Sequence, residues 1–225
     1  LHLAGDGPRA VAREVQSFEE GLILRPFDGD HLTTDHLDHV HALAADHDTV
    51  VFGPGLGDDV ATLTAVRDFL ADYDGRAVID ADALQVVPDV ETEATLLCTP
   101  HQGELQAMGG PSADDWRDRL DAVSDFAAEL GHTLLVKGAY DVISDGRDAR
   151  ANRTGNPGMT VGGTGDVLAG VCGALFATHD AVTAGAVGAY VNGRAGDAVV
   201  DDQGYGLLAS DLLAELPPAM WGGDA

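Results

Sequence analysis

Residues 152–177 read NRTGNPGMTVGGTGDVLAGVCGALFA, and the fold follows from what this stretch can do. Its centre is Gly162-Gly163-Thr164-Gly165-Asp166. A polar loop rich in glycine and proline precedes the centre. The small apolar residues Ala169, Gly170, Gly173, Ala174 and Ala177 punctuate the run that follows. The pattern predicts a tightly packed, buried helix opening at Gly165. Glycines let the backbone turn sharply and approach a ligand closely. A helix opening there points free N–H groups and the positive end of its dipole into the loop, which makes an anion site, most naturally for phosphate. Asp166 admits two readings. It caps the helix, as aspartate commonly does, or it is a catalytic base beside a phosphate whose charge its neighbours neutralise.

Outward from this stretch, short apolar runs alternate with helical patterns. Strands are expected at 1–4, 49–52, 77–79, 95–98 and 133–136, with a second apolar run at 21–24. Helices are expected at 8–18, 32–45, 58–73, 114–130, 181–199 and 209–216, and a loose tail at 217–225. Residues 141–144 and 148–152 read as a hairpin over Asp145-Gly146. The alternation predicts an α/β protein with a mostly parallel sheet covered on both faces. In such folds ligands bind beyond the carboxyl ends of the strands. The segments GPGLG (53–57), DAD (80–82), TPHQGE (99–104) and KGAY (137–140) all fall there. In DAD, Asp80 and Asp82 read either as a strand exit with a helix cap or as carboxylates holding a polar ligand. His101 and Glu104 read either as a loop histidine and a dipole-matched helix opener or as site residues. Histidines 36, 39, 41 and 47 share no metal-ligand spacing and read as a solvated face.

The 225 residues carry 38 Asp and Glu against 12 Lys and Arg, a net charge of −26. A chain this size can bury a sizeable core in one domain. Its charge repels nucleic acid and anionic lipid, so neither is expected as a partner, and no stretch is long and apolar enough for a membrane span. Acid dispersed along the whole chain, with almost no lysine, resembles proteins of salt-loving archaea. Lys137 is the only lysine, and the apolar run Leu134-Leu135-Val136 directs it to a strand end, so a ligand role outweighs chance survival. Cys98 and Cys172 are isolated and apolar in context, and read as buried packing residues of a reducing compartment, here the cytoplasm.

Together GPGLG, DADAL, TPHQGE, VKGA, TGNPGMTVGGTGDVLAG, NGRAGD (192–197) and GLLASDLL resemble the ADP- or ATP-dependent NAD(P)H-hydrate dehydratases. These are ribokinase-like proteins with a three-layer α/β/α fold, and often form the C-terminal half of a bifunctional repair enzyme. The resemblance covers essentially the whole chain. The sequence departs from the pattern in three ways. The family's first strand and glycine-rich segment do not precede Leu1, nor does the epimerase domain often fused there. Asn192 stands where the family usually has histidine. The expectation is a single ribokinase-like dehydratase domain over 1–225 lacking that first strand and glycine-rich segment.

The resemblance implies a reaction. A reduced nicotinamide cofactor damaged by hydration is phosphorylated on its ring hydroxyl by ADP or ATP, phosphate leaves, and the ring double bond returns. It implies that Asp166 takes the hydroxyl proton and that Gly55, Gly57, Asp82, His101 and Asp166 contact the hydrated cofactor. It assigns Lys137, Gly138, Ala139, Tyr140, Asp141, Asn156, Gly163, Thr164 and Gly165 to the nucleotide, and Glu104 to placing Mg2+. A homo-oligomer is expected. Two rivals stay open: a vitamin kinase of the same fold, and a non-catalytic nucleotide-binding module.

Overall fold

The computed structural model describes residues 14–17, 21–113 and 115–222. The strand expected at 1–4 lies outside them, as does most of the helix expected at 8–18, of which 14–17 are helical. Among the described residues six strands form one sheet in the order β1-β2-β3-β4-β5-β6. Strands β1 (Val50–Phe52), β2 (Arg76–Ile79), β3 (Thr95–Cys98) and β4 (Thr133–Val136) run parallel, and β5 (Asp141–Ser144) and β6 (Ala149–Asn152) extend the sheet antiparallel. Short apolar runs buried on both faces are what parallel strands require, and all four residues of β4 are buried. At the β5–β6 turn the Asp145 carboxylate accepts the N–H groups of Arg147 and Asp148, a local closure that aspartate favours.

Alternation along the strands divides the core. Ala77, Ile79, Leu96, Cys98, Leu134 and Val136 face one side, where they pack beneath α1 (Leu37–Ala45), α2 (Val60–Asp72), α3 (Gln102–Ala107) and α4 (Trp116–Leu130). Val78, Leu97, Leu135 and Ile143 face the other, beneath α5 (Thr164–Phe176) and α6 (Ala181–Gln203). The small residues of these two helices let them approach each other closely. A Cβ on Gly188 of α6 would lie 2.6 Å from the Cys172 sulfur of α5. The result is three layers, α/β/α. Part of the acid excess has a local use, since Asp59, Asp115 and Asp180 cap α2, α4 and α6 with their side chains. Both cysteines are buried, and burial pushes each thiol up to about 12. Among the described residues no helix is long and apolar enough to cross a membrane.

Three expectations need correction. The helix expected at 32–45 begins as a 3-10 turn at Thr34–His36 before α1. Its histidines are not one solvated face, because His36 hydrogen-bonds Thr33 and the Asp28 carbonyl while His41 packs on Phe69. The chain beyond 217 is not loose through its whole length. Helix α7 (Leu212–Trp221) continues through Pro217 and Pro218. Leu216 and Ala219 pack against the cluster of Ala195, Val199, Leu207 and Leu212, and this apolar contact outweighs the missing proline N–H groups.

Candidate functional site

The strand ends place the site. Beyond β2, β3 and β4 the backbone ladder runs on for another residue or two, with Thr99 N–H donating to the Ile79 carbonyl at 2.9 Å and Lys137 N–H to the Pro100 carbonyl at 2.8 Å. This sets Asp80, Thr99 and Lys137 side by side. Lys137 Nζ lies 2.9 Å from Asp80 Oδ1 and 3.8 Å from Glu104 Oε2. The Thr99 hydroxyl donates to the same Asp80 oxygen at 2.8 Å, and Asp80 is 2% exposed. The sole lysine is therefore anchored to a buried carboxylate by a charge-assisted bond. Asp80 is the N-cap residue of the 3-10 segment Ala81–Asp89 by position, but its side chain makes no capping bond and is given to Lys137 and Thr99 instead. Asp82 accepts the Gly57 N–H at 2.8 Å and so holds the GPGLG turn.

Helix α5 opens toward that lysine. Gly163, at φ 95°, is its N-cap. The Thr164 hydroxyl closes the preceding loop onto the carbonyls of Met159 and Val161. The first helical bond runs from Val167 N–H to the Gly163 carbonyl at 3.0 Å, which leaves the N–H groups of Thr164, Gly165 and Asp166 without helical acceptors. A Cβ on Gly165 would sit 3.5 Å from Lys137 Nζ, so the ammonium stands at the helix mouth. Asp166 is the third residue of the helix, not its cap. Its side chain is exposed, and among the described residues nothing hydrogen-bonds it.

Two further segments complete the wall. Asn156 Oδ1 accepts the Gly158 N–H, while its Nδ2 donates to Asp197 Oδ1 at 2.9 Å and the other Asp197 oxygen accepts the Gly155 N–H at 3.1 Å. Asp197, in the middle of α6, thus tethers the NPG turn. Asp141 Oδ1 accepts the Gly138 N–H at 3.0 Å and its Oδ2 accepts from Asn152 Nδ2 at 2.9 Å. Burial raises the Asp141 carboxyl above its usual range, opposed by these two hydrogen bonds and by the charges of Arg119 and Lys137. Arg119, reaching up from α4, donates to the Tyr140 carbonyl and lies against Gly138. Tyr140 turns its ring toward Trp116, 5.5 Å between centroids.

A cavity of about 760 Å³ lies between these walls. It brings together Lys137, Gly138, Ala139, Asp141, Asn156, Thr164, Gly165 and His101. A second recess of about 290 Å³ is lined by Asp82, His101 and Glu104, so His101 is shared by the two. Gly163 and Tyr140 do not line the large cavity, and Gly55, Gly57 and Asp166 line neither. Sequence reasoning missed Arg119 and Asp197 as site residues, and did not see that Asp80 partners Lys137. The sequence separations explain this: Asp80 and Lys137 are 57 residues apart, beyond any local pattern. Asp197 did carry a signal, as the end of NGRAGD.

Glu104 is committed locally. Its Oε2 accepts the His101 N–H at 2.7 Å, and its own N–H donates to His101 Nδ1 at 3.1 Å, a reciprocal cap of α3. Among the described residues no group of three or more His, Cys, Asp or Glu side chains could hold a metal ion. One carboxylate 3.8 Å from the Lys137 ammonium nevertheless suits Mg2+, which is usually held by one or two carboxylates with phosphate oxygens and water.

A family profile described as NAD(P)H-hydrate dehydratase matches residues 14–218, which include every residue of this site. The chain belongs to the NAD(P)H-hydrate dehydratase family. Its relatives include the bifunctional NAD(P)H-hydrate repair enzyme Nnr of Pyrobaculum aerophilum, 41% identical over 214 residues, 93% of this chain and 43% of that protein. The chain thus spans less than half of that relative's length. The ADP/ATP-dependent NAD(P)H-hydrate dehydratase of Bacillus subtilis, co-crystallised with ATP and Mg2+, superposes with a TM-score of 0.67 at 29% identity, covering 79% of this chain and 67% of that one. A ribokinase-like superfamily protein from Enterococcus faecalis superposes with a TM-score of 0.71 at 25% identity over 84% of this chain and 68% of that one. The three layers of this dehydratase-family chain are therefore the ribokinase-like fold.

Proposed function

We propose that this chain repairs hydrated NADH or NADPH with ADP as phosphoryl donor. The supporting observation is the meeting of two groups at one point, the free N–H groups opening α5 and the Lys137 ammonium standing over Gly165, with the unpartnered Asp166 in the same first helical turn. The two groups suit a transferring phosphoryl group and Asp166 suits a proton acceptor. The ring hydroxyl oxygen attacks the terminal phosphorus of ADP as Asp166 takes the hydroxyl proton. The bond from that phosphorus to the bridging oxygen breaks, and AMP leaves. The ring-nitrogen lone pair then expels phosphate, the ring C5 proton is lost, and the double bond returns. The sum is hydrate plus ADP giving reduced cofactor, AMP and phosphate.

The chain's own groups bind and orient. Lys137, held by Asp80, and the Thr164 and Gly165 N–H groups take the phosphates, and the Gly138–Asp141 segment takes the nucleoside. His101 and Asp82 face the hydrated ring from the recess they line, and Gly55 and Gly57 shape the turn that Asp82 holds. Glu104 would hold Mg2+ against the phosphates, where the ion neutralises charge. The test is recovery of reduced-nicotinamide absorbance from hydrated NADH on adding ADP, with AMP and phosphate released in equal amounts. A stable phosphorylated alcohol would instead mark a small-molecule kinase, and ADP binding without turnover a non-catalytic module.

The assay belongs in molar potassium chloride. With a net charge of −26, self-repulsion opposes the folded state until the Debye length shrinks to about 3 Å near 1 M salt. The melting temperature should rise from dilute buffer to molar salt, and a flat profile would refute a salt-dependent fold.

A further inference from the structure

The chain holds strain at one residue beside the site. Among the described residues Ala81 is the one residue other than glycine with positive φ, at 48°. A Cβ disfavours this left-handed backbone, which glycine adopts freely. Apolar packing does not account for the methyl. Ala81 is half-buried and belongs to none of the three apolar clusters. It lines the smaller recess instead, with Asp82, His101 and Glu104. Strained residues of this kind persist where their surroundings over-determine them, and they gather at functional sites.

The surroundings show what the bend does. Asp80 N–H still donates to the Phe52 carbonyl at 3.0 Å as the chain leaves β2. In a strand that ran on, residues 80 and 82 would point to the same face. Here their carboxylates serve opposite neighbours of β2. Asp80 turns to Thr99, past β3, and to Lys137, past β4. Asp82 turns to Gly57, in the turn that follows β1. Strands β1 and β3 flank β2 on its two sides, and the change of direction falls on Ala81. The bend is pinned at its start, because the Asp80 carbonyl fills the space where a Cβ on Gly53 would lie. It is pinned at its end by the Asp82 bond to Gly57, at 2.8 Å. Glycine would make the same bend without strain, but it would also permit others. The methyl narrows the choice, so the recess and the GPGLG turn keep one shape before a ligand arrives.

We infer that Ala81 is a positioning residue for the hydrated nicotinamide ring: its strained bend aims Asp82 and so presets the recess that takes the ring. This rests on the repair reading above and adds to it a residue that acts through Asp82. A preset site binds at its full affinity, whereas a site in the competent shape for only part of the time loses affinity by that fraction.

The experiment compares wild type with Ala81→Gly and with Ala81→Ser, which keeps a Cβ. In Ala81→Gly the ligand-free melting temperature should hold or rise, because relief of strain offsets the greater freedom of the unfolded chain. The KM for hydrated NADH should rise about tenfold, with kcat and ADP affinity unchanged, as for a recess competent about a tenth of the time. In the ligand-free protein the Gly57 amide should exchange with solvent about tenfold faster, since Asp82 no longer holds it continuously. Ala81→Ser should match wild type in all of these. A wild-type KM or an unchanged Gly57 amide in Ala81→Gly overturns the inference. So does a lower melt with KM, kcat and ADP affinity all impaired, the pattern of a joint that serves folding alone. A serine variant that behaves like the glycine variant shows that the Cβ is not what matters, and overturns it as well. If wild type does not restore hydrated NADH at all, the repair reading falls and the inference with it. If wild type restores it and Ala81→Gly does so at the same KM, only the Ala81 inference falls.

Discussion

The chain has two glycine-rich turns of similar composition, GPGLG at 53–57 and GGTG at 162–165, and their glycines answer to different demands. In the first, Gly53, Gly55 and Gly57 have φ of 131°, 71° and 77°. A Cβ on Gly53 would lie 1.7 Å from the Asp80 carbonyl oxygen, and Asp82 holds the Gly57 N–H. The protein's own backbone requires the glycine at 53. In the second turn only Gly163 has positive φ. Gly165 is ordinary helix, and a Cβ there would meet only the Lys137 ammonium, at a normal contact distance of 3.5 Å. Nothing in the folded protein asks for glycine at 165. Packing accounts for Gly53, and also for Gly163, where a Cβ would lie 2.9 Å from Ala209 Cβ, but not for Gly165, where the proposed approach of phosphate would.

The sharpest way to separate packing from chemistry is Asp166→Asn. Because Gly163 and not Asp166 caps α5, the substitution removes no cap and no protein hydrogen bond, so the melt should match wild type. If the carboxylate is the base, turnover falls by about 10²–10⁴-fold, while ADP affinity holds or improves as a negative charge leaves the phosphates. Near wild-type repair of hydrated NADH would remove Asp166 from the mechanism.

Next in size is Gly53→Ala, the test of the packed turn. The new methyl overlaps a carbonyl oxygen and the backbone is left-handed, two strains that together should destabilise by about 3 kcal/mol or more. Denaturant melts should show the loss, while any protein that still folds should keep its ADP affinity. A wild-type melt would mean that the turn yields easily and that its glycines are not there for packing.

Lys137 belongs to both regimes. Its side chain is 21% exposed while that of its partner Asp80 is 2% exposed, so Lys137→Met should both weaken the proposed anion site and strand a buried carboxylate. ADP affinity should fall by about 1.5–3 kcal/mol, and stability should fall too. Adding Asp80→Asn should restore the melt but not the binding. If the double variant regains ADP affinity, the ammonium is a structural counter-ion only.

The same division sets how much could be read from the chain alone. Strands β3 and β4 lie where the apolar runs predict them, because Thr95–Cys98 and Thr133–Val136 are short and sharply bounded. Helix α5 was legible because its glycines and small residues sit together in sequence. Local signals failed where a contact joined distant parts. The helical course of Pro217 and Pro218 depends on packing against α6. The roles of Asp80 and Arg119 exist only once β2, β4 and α4 are side by side. Tyr140 sits within a recognisable motif, yet its ring leaves the cavity because Trp116, on α4, offers it a partner.

The smallest expected effect on the fold, and the most direct test of the comparison, is Gly165→Ala. A methyl at 165 fits the ligand-free protein, and alanine favours helix over glycine by up to about 1 kcal/mol. Reduced freedom of the unfolded chain acts in the same direction. The melting temperature should therefore hold or rise slightly, the reverse of Gly53→Ala. Binding should move the other way. A phosphate that reaches the Thr164 and Gly165 N–H groups and the Lys137 ammonium must pass through the space the methyl takes, so ADP affinity should drop by about tenfold, or about 1.4 kcal/mol. A more stable protein that binds ADP less well is the signature of a glycine kept for its ligand. If Gly165→Ala is both more stable and equally good at binding ADP, the phosphates do not approach the mouth of α5, and the proposed anion site moves elsewhere in the cavity.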